Sequence, residues 1–129
     1  MRLTVLTPTE VVLEQEVSHV TVEDPTGSLG FRPGHAPLVT PLARGILVAR
    51  DTEGAERYVA LDGGVAVVDR DEVEVVSRRA VESDDLEHLE RNVLAQFRAR
   101  AEEEKTNFVA FEKMRISFMR QLLQLEKGE

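Results

Sequence analysis

The sequence predicts a segregated α+β fold: an N-terminal β-sandwich of about ten short strands, followed by a C-terminal two-helix hairpin. Three observations carry that expectation. All five Pro and seven of the eight Gly lie before Ser83, and Ser83–Lys127 contains neither. Before the break, short β-branched runs alternate with turn signals. After it, apolar residues recur at helical spacing. The boundary predicts a sandwich over residues 1–82 and a helical hairpin over residues 83–129.

Taken in order, the strand-like runs are Leu3–Leu6, Val11–Glu14, Val17–Glu23, Gly45–Arg50, Arg57–Leu61, Val65–Val68 and Val73–Ser77. Thr7-Pro8-Thr9-Glu10 turns the first run into the second. Asp51-Thr52-Glu53-Gly54 and Asp69-Arg70-Asp71-Glu72 join two later pairs as hairpins. Val20 and Val22 alternate with Thr21 and Glu23, and Val73 and Val75 with Glu72 and Glu74, as in strands with one buried and one wet face. The Gly pair in Leu61-Asp62-Gly63-Gly64 predicts a bulge or a close backbone approach. Residues 24–41, with four Pro and three Gly, read as a long irregular loop and hence as a functional candidate.

Ser83-Asp84-Asp85 has an N-capping residue and acids suited to a first helical turn. Leu86, Leu89, Val93, Leu94, Phe97 and Ala101 follow at helical spacing. The apolar stripe then lapses over Arg98–Asn107 and resumes with Phe108, Phe111, Met114, Phe118, Leu122 and Leu125. A second helix capped by Thr106 or Asn107 fits, either folded back as a hairpin or continuing as one broken rod. Around this second segment the apolar residues cover about 220° of the circumference, where one neighbour needs somewhat over 100°. The excess predicts two packing surfaces.

Composition narrows the function classes. The 129 residues include 16 Lys+Arg against 24 Asp+Glu, a net charge of −8. That balance disfavours nucleic-acid or anionic-lipid binding, both of which need clustered cations. Absence of Cys excludes disulfides, thiol catalysis and Cys-ligated zinc. No apolar run is long enough to span a bilayer, so direct membrane insertion is not expected. MRLTVLTPTE lacks an apolar signal-peptide core, which predicts a cytoplasmic chain.

No catalytic constellation is legible. His19, His35 and His88 form no metal-ligand spacing, so no metal or other cofactor is expected. Pro25-Thr26-Gly27-Ser28-Leu29-Gly30 lacks the Lys-Ser/Thr of a phosphate-binding loop. Ser77, Ser83 and Ser117 have no neighbouring His to activate them. The strand carboxylates alternate with Val and read as a solvated face. Lys113, Arg115 and Arg120, interleaved with apolar residues, suit docking to an acidic partner.

Gly27-Ser28-Leu29-Gly30-Phe31-Arg32-Pro33-Gly34-His35-Ala36-Pro37-Leu38-Val39-Thr40 resembles the G-x-x-G-h-x-P-G-H-A-P-h-h-T signature (h apolar) of the epsilon subunits of F-type ATP synthases. The opening Leu3–Glu10 and Asp62-Gly63-Gly64 before an apolar strand also fit, and the resemblance covers the whole chain.

The resemblance implies a non-catalytic central-stalk subunit of a rotary motor. Its sandwich would bind the gamma subunit and the c ring, and its hairpin would be regulatory. The subunit would couple ion flow to nucleotide chemistry from the cytoplasmic side of the bacterial inner membrane, as a peripheral protein. Ser28, Arg32 and His35 would meet the c ring. Lys113, Arg115 and Arg120 would meet gamma and the alpha and beta subunits, restraining ATP hydrolysis.

Three features depart from the family pattern. Glu90 stands where ATP-binding members carry the Arg of [IL]-D-x-x-R-A, which implies no ATP sensing. The second helix, rich in Phe, Met and Arg rather than Ala, resembles that of the alternate, sodium-type branch of these enzymes. Ser28 replaces a Glu common in the ring-facing loop. The alternative class is a free-standing β-sandwich module with a dimerising helical tail.

Overall fold

The computed structural model describes residues 1–127. Ten strands form two five-stranded sheets. They are β1 (Arg2–Leu6), β2 (Val11–Glu16), β3 (His19–Asp24), β4 (Gly27–Phe31), β5 (His35–Leu42), β6 (Gly45–Arg50), β7 (Glu56–Leu61), β8 (Gly64–Arg70), β9 (Glu72–Val76) and β10 (Ala80–Ser83). The first sheet has the order β2-β1-β9-β8-β5 and the second β10-β7-β6-β3-β4. All pairings are antiparallel except β1 with β9.

Leu3 and Val5, Val20 and Val22, Val73 and Val75 project inward from their strands and are fully or almost fully buried. With Phe31, Leu47, Val59 and Val68 they fill the space between the sheets. The period-2 alternation read in these strands therefore decides which face is core. Gly64 permits the tight link into β8. Its φ is +126°, and a Cβ there would collide with the Val76 carbonyl.

Residues 24–41 are not an irregular loop. Asp24 and Gly27 pair across a tight turn that leads into β4, and β5 begins at His35. The Asp24 carboxylate accepts hydrogen bonds from the Thr26 backbone N–H and hydroxyl, which forms that turn and lowers the Asp24 pKa. Pro37 and Pro41 are tolerated because β5 is an edge strand, and the β5–β8 register shifts between His35 and Leu38. Within this stretch Arg32-Pro33-Gly34 links β4 of the second sheet to β5 of the first, with Gly34 at φ +80°.

The chain divides into two compact units, Met1–Phe97 and Arg98–Glu129. In the first, Asp85 caps a short α1 (Leu86–His88) through its side chain to the His88 N–H. A π-helical turn, Leu89–Val93, follows. Leu89, Val93 and Phe97 pack on Ala60, with Ile46 and Tyr58 beside them. These residues cover part of the outer face of the second sheet.

The hairpin expectation is corrected. α2 runs unbroken over Leu94–Lys127. Thr106 caps nothing: its hydroxyl donates to the Glu102 carbonyl four residues back, as a mid-helix residue does. Arg98–Asn107 lacks large apolar residues, but its Arg, Ala, Glu and Lys are good helix formers. Loss of the apolar stripe removed packing without removing helix propensity. Residues 128 and 129, the end of the expected hairpin, lie outside the described residues.

Candidate functional site

The outer face of the first sheet is graded from apolar to charged along its strands. At one end a row crosses all five strands: Pro41 pairs Val65, Val65 pairs Val76, Val76 pairs Leu6 and Leu6 pairs Val11. The next outward row begins Val39–Val67 and continues through Glu74 and Thr4 to Glu14. The third contains Asp69, Glu72, Arg2 and Glu16. Arg2 there pairs with Glu14 and Glu16. Val11, Val39, Val65, Val67 and Val76 are all exposed, Val39 at 67%. Four interstrand spacings make the apolar row about 19 Å wide. A wet sheet face normally carries polar residues, so a contiguous valine patch of this kind is a candidate docking surface.

The sequence-predicted residues fall at opposite ends of the sandwich. Ser28 pairs Glu23 beside the β3–β4 turn. Arg32 follows the far end of β4, four residues on, about 13 Å from Ser28 along the strand. His35 stays with Arg32: its backbone N–H donates to the Arg32 carbonyl at 3.2 Å. Its ring meets Phe31 edge-on with centroids 5.3 Å apart, and Nδ1 lies 2.7 Å from the Ala36 carbonyl oxygen. Arg32 borders an open cleft of about 590 Å³ that includes Ser18, His19, Thr21, Arg50 and Tyr58. On that wall Arg50 pairs Glu56 at 3.0 Å, and Glu56 accepts the Tyr58 hydroxyl at 2.8 Å, which lowers the Glu56 pKa and raises that of Tyr58. Arg32 and His35 thus form one group, and Ser28 belongs to another.

At the Ser28 end lies a feature that the sequence reading missed. Asp62, whose side chain is 2% exposed, receives Arg44 Nε at 3.0 Å, Arg78 at 3.3 Å and Arg79 at 2.5 Å. These arginines come from the β5–β6 and β9–β10 connections. Burial raises the Asp62 pKa, but the hydrogen-bonded guanidiniums of Arg44 and Arg79 and the charges of Arg44 and Arg78 bring it below the ordinary aspartate value. The only sequence signal was an Asp directly before Gly63-Gly64, with Arg78-Arg79 sixteen residues on.

On α2, Lys113 and Arg120 lie about 20° apart on the helical wheel, while Arg115 stands about 140–160° away from them. Arg115 pairs with Glu112 at 2.9 Å. The three cations therefore do not form one face. The Glu112–Arg115 pair instead interrupts the apolar arc. Phe111, Met114, Phe118, Leu122 and Leu125 lie on one side of it and Val109, Ile116 and Leu123 on the other, all exposed.

Residues 1–83 match the family described as the ATP synthase, Delta/Epsilon chain, beta-sandwich domain. The chain belongs to this family. It is 37% identical over 87 residues to the ATP synthase epsilon chain of Moorella thermoacetica, covering 67% of this chain and 65% of that one. It is 31% identical over 128 residues to the epsilon chain of Bacillus cytotoxicus, covering 96% and 92%. Among solved structures it is similar to a chain in the Euglena gracilis mitochondrial ATP synthase OSCP/F1/c-ring assembly, with a TM-score of 0.62 and 32% identity over 77% of this chain and 62% of that one. The chain thus spans slightly less than two thirds of the Moorella and Euglena chains. The ATP synthase delta/epsilon family match falls on the ten-strand part, which carries the valine face and both turn ends. Among the described residues, no helix is long and apolar enough to cross a membrane.

Proposed function

We propose that the chain is the epsilon subunit in the central stalk of a bacterial rotary F-type ATP synthase. It is a non-catalytic part, peripheral on the cytoplasmic side of the inner membrane, that couples ion flow through the c ring to ATP synthesis or hydrolysis. The observation that carries the reading is the exposed valine face of the first sheet, joined to a sandwich of the delta/epsilon family. That face docks the gamma subunit. The turn end with Ser28 stands on the polar loops of the c ring. Arg32 and His35, at the other end, lie beside the gamma-facing sheet rather than on the ring.

The division proposed for the chain follows: residues 1–82 bind gamma and the ring, and residues 83–129 regulate. The two apolar flanks of α2 receive gamma on one side and the alpha and beta subunits on the other, with Lys113 and Arg120 on a third, polar flank. In this position the helix restrains ATP hydrolysis, with Arg115 held by Glu112 between the apolar flanks.

Co-expression with the gamma subunit tests the reading. A one-to-one complex that survives size exclusion supports it. A tight homodimer that ignores gamma sinks it in favour of a free-standing module with a dimerising tail.

A further inference from the structure

From Phe108 onward α2 carries a seven-residue repeat. Phe108, Arg115 and Leu122 recur at that interval, and Phe111, Phe118 and Leu125 stand three residues after each. These are the two seam positions of a helix pair. Met114 and Met119 flank the seam, while Val109, Ile116 and Leu123 form a neighbouring stripe outside it. Every apolar residue of the seam is exposed, the three phenylalanines at 61–65%. At about 200 Å² per side chain the phenylalanines alone offer roughly 380 Å² on each copy of the chain. Met114, Leu122 and Leu125 add a similar area, so two copies bring together roughly 1,400 Å², within the range of specific interfaces.

Arg115, the polar seam residue of this stretch, selects the arrangement. A parallel pair would set it against its own counterpart, two guanidiniums in one layer. An antiparallel pair with its two-fold axis between Ile116 and Ser117 is self-complementary. It sets Phe108 against Leu125, Phe111 against Leu122 and Arg115 against Phe118 of the second copy, each layer occurring twice. Every layer then joins a phenyl ring to a Leu or Arg side chain, so ring never meets ring and the sizes complement one another. A guanidinium on a phenyl face is a favourable contact. Glu112, which holds Arg115 at 2.9 Å, keeps its charge compensated at the rim of the seam. Sliding the pair by one heptad sets Glu104 against Leu122 in one direction and shortens the seam to about four layers in the other.

We propose that two copies of this chain, free of the rest of the motor, associate through an antiparallel pair of α2 helices over Phe108–Leu125. The pair uses no residue of the valine face, so dimerisation and gamma binding are separate properties. The Phe111–Leu125 flank is, however, one of the two flanks of α2 that dock in the assembled enzyme. The dimer and the docked helix therefore exclude each other, and the dimer holds the helix in a form that cannot restrain ATP hydrolysis.

The test is sedimentation equilibrium of the full chain, with spin-label distances to fix the orientation. The parent chain is expected to dimerise with a Kd in the micromolar range. Leu122→Lys, on the seam, is expected to weaken the dimer at least 30-fold, and Ser117→Glu, on the polar side of the helix, to stay within threefold of the parent. If Leu122→Lys loses helix by circular dichroism, Phe118→Gln replaces it, with a loss of at least tenfold expected. The chain has no Cys, so Ser117→Cys and Thr106→Cys each give one label per copy. In the antiparallel pair the labels at 117 lie almost level along the axis and those at 106 about 30 Å apart along it. A parallel pair, which keeps both sets level, overturns the proposal, as does a Leu122→Lys chain that dimerises like the parent. A parent chain that stays monomeric at about 100 µM also overturns it, whether its helix is then taken up by phosphatidylglycerol vesicles or by gamma. The stalk reading is judged separately: a dimer of the expected geometry supports the proposal whether or not it binds gamma, and failure to bind gamma counts against the stalk reading alone.

Discussion

Replacing Val67 by Asp probes the surface proposed to dock the gamma subunit where its geometry is best defined. Val67 pairs Val39 on one side and Glu74 on the other. The five exposed valines of this face leave uncovered the equivalent of about two and a half whole valines, or about 5 kcal/mol of available docking free energy at about 2 kcal/mol each. Val67 is 43% exposed, so its own share is about 1 kcal/mol. An aspartate there also places a carboxylate under the partner and beside Glu74, which costs about 2 kcal/mol more. The expected loss is about 3 kcal/mol, or more than 100-fold in affinity for the gamma subunit. The isolated chain should stay folded, because the side chain points away from the core. Interferometry against gamma reads the affinity and a thermal melt checks the fold, with Glu53→Lys in the β6–β7 turn as the control. A folded Val67→Asp chain that binds gamma within threefold of the parent refutes the argument.

Other outcomes follow from the same structure. Gly64→Ala should cost about 3–4 kcal/mol, because a Cβ meets the Val76 carbonyl at a φ that L residues avoid, and a melt lowered by less than about 5 °C contradicts this. Asp62→Asn should cost about 3 kcal/mol at pH 7 by removing the buried carboxylate on which Arg44, Arg78 and Arg79 converge. Because the folded Asp62 pKa is depressed, its contribution is complete above the unfolded value of about 4 and fades as pH falls through the folded value. Urea titrations should therefore show the gap between parent and variant closing below about pH 4, and a gap independent of pH counts against the linkage. Millimolar ATP should leave the melting temperature unchanged if, as the resemblance implies, Glu90 stands where ATP-binding members carry Arg; the adjacent Arg91 pairs with Glu87 at 3.0 Å. Removal of residues 106–129 should raise ATP hydrolysis by the assembled enzyme without impairing assembly, and equal rates across nucleotide and salt conditions would leave the helix structural.

How much of this was legible in the sequence depended on which force set each element. Strands such as β3 and β9 were readable because one face is buried, so Val20, Val22, Val73 and Val75 alternate with polar residues. β4 and β5 were hidden because their Gly and Pro read as turn residues, and edge position, which makes Pro37 and Pro41 harmless, is a property of the whole sheet. The expected hairpin does not form because a lapse in the apolar stripe is not a lapse in the helix: Arg98–Lys105 consists of the good helix formers Arg, Ala, Glu and Lys. The valine face could be seen only once register was known: Val65, Val76 and Leu6 are far apart in sequence and adjacent across strands. The Asp62 cluster likewise joins three connections that no local motif links.

The central claim is that the valine face of the first sheet holds the gamma subunit. A photo-crosslinking amino acid placed at position 67 of the full chain, in the assembled enzyme, tests it most directly by mass spectrometry of the trapped partner. The account predicts gamma-subunit peptides as the main adduct. Adducts to c subunits, or to a second copy of this chain, with none to gamma in an active complex, would contradict it.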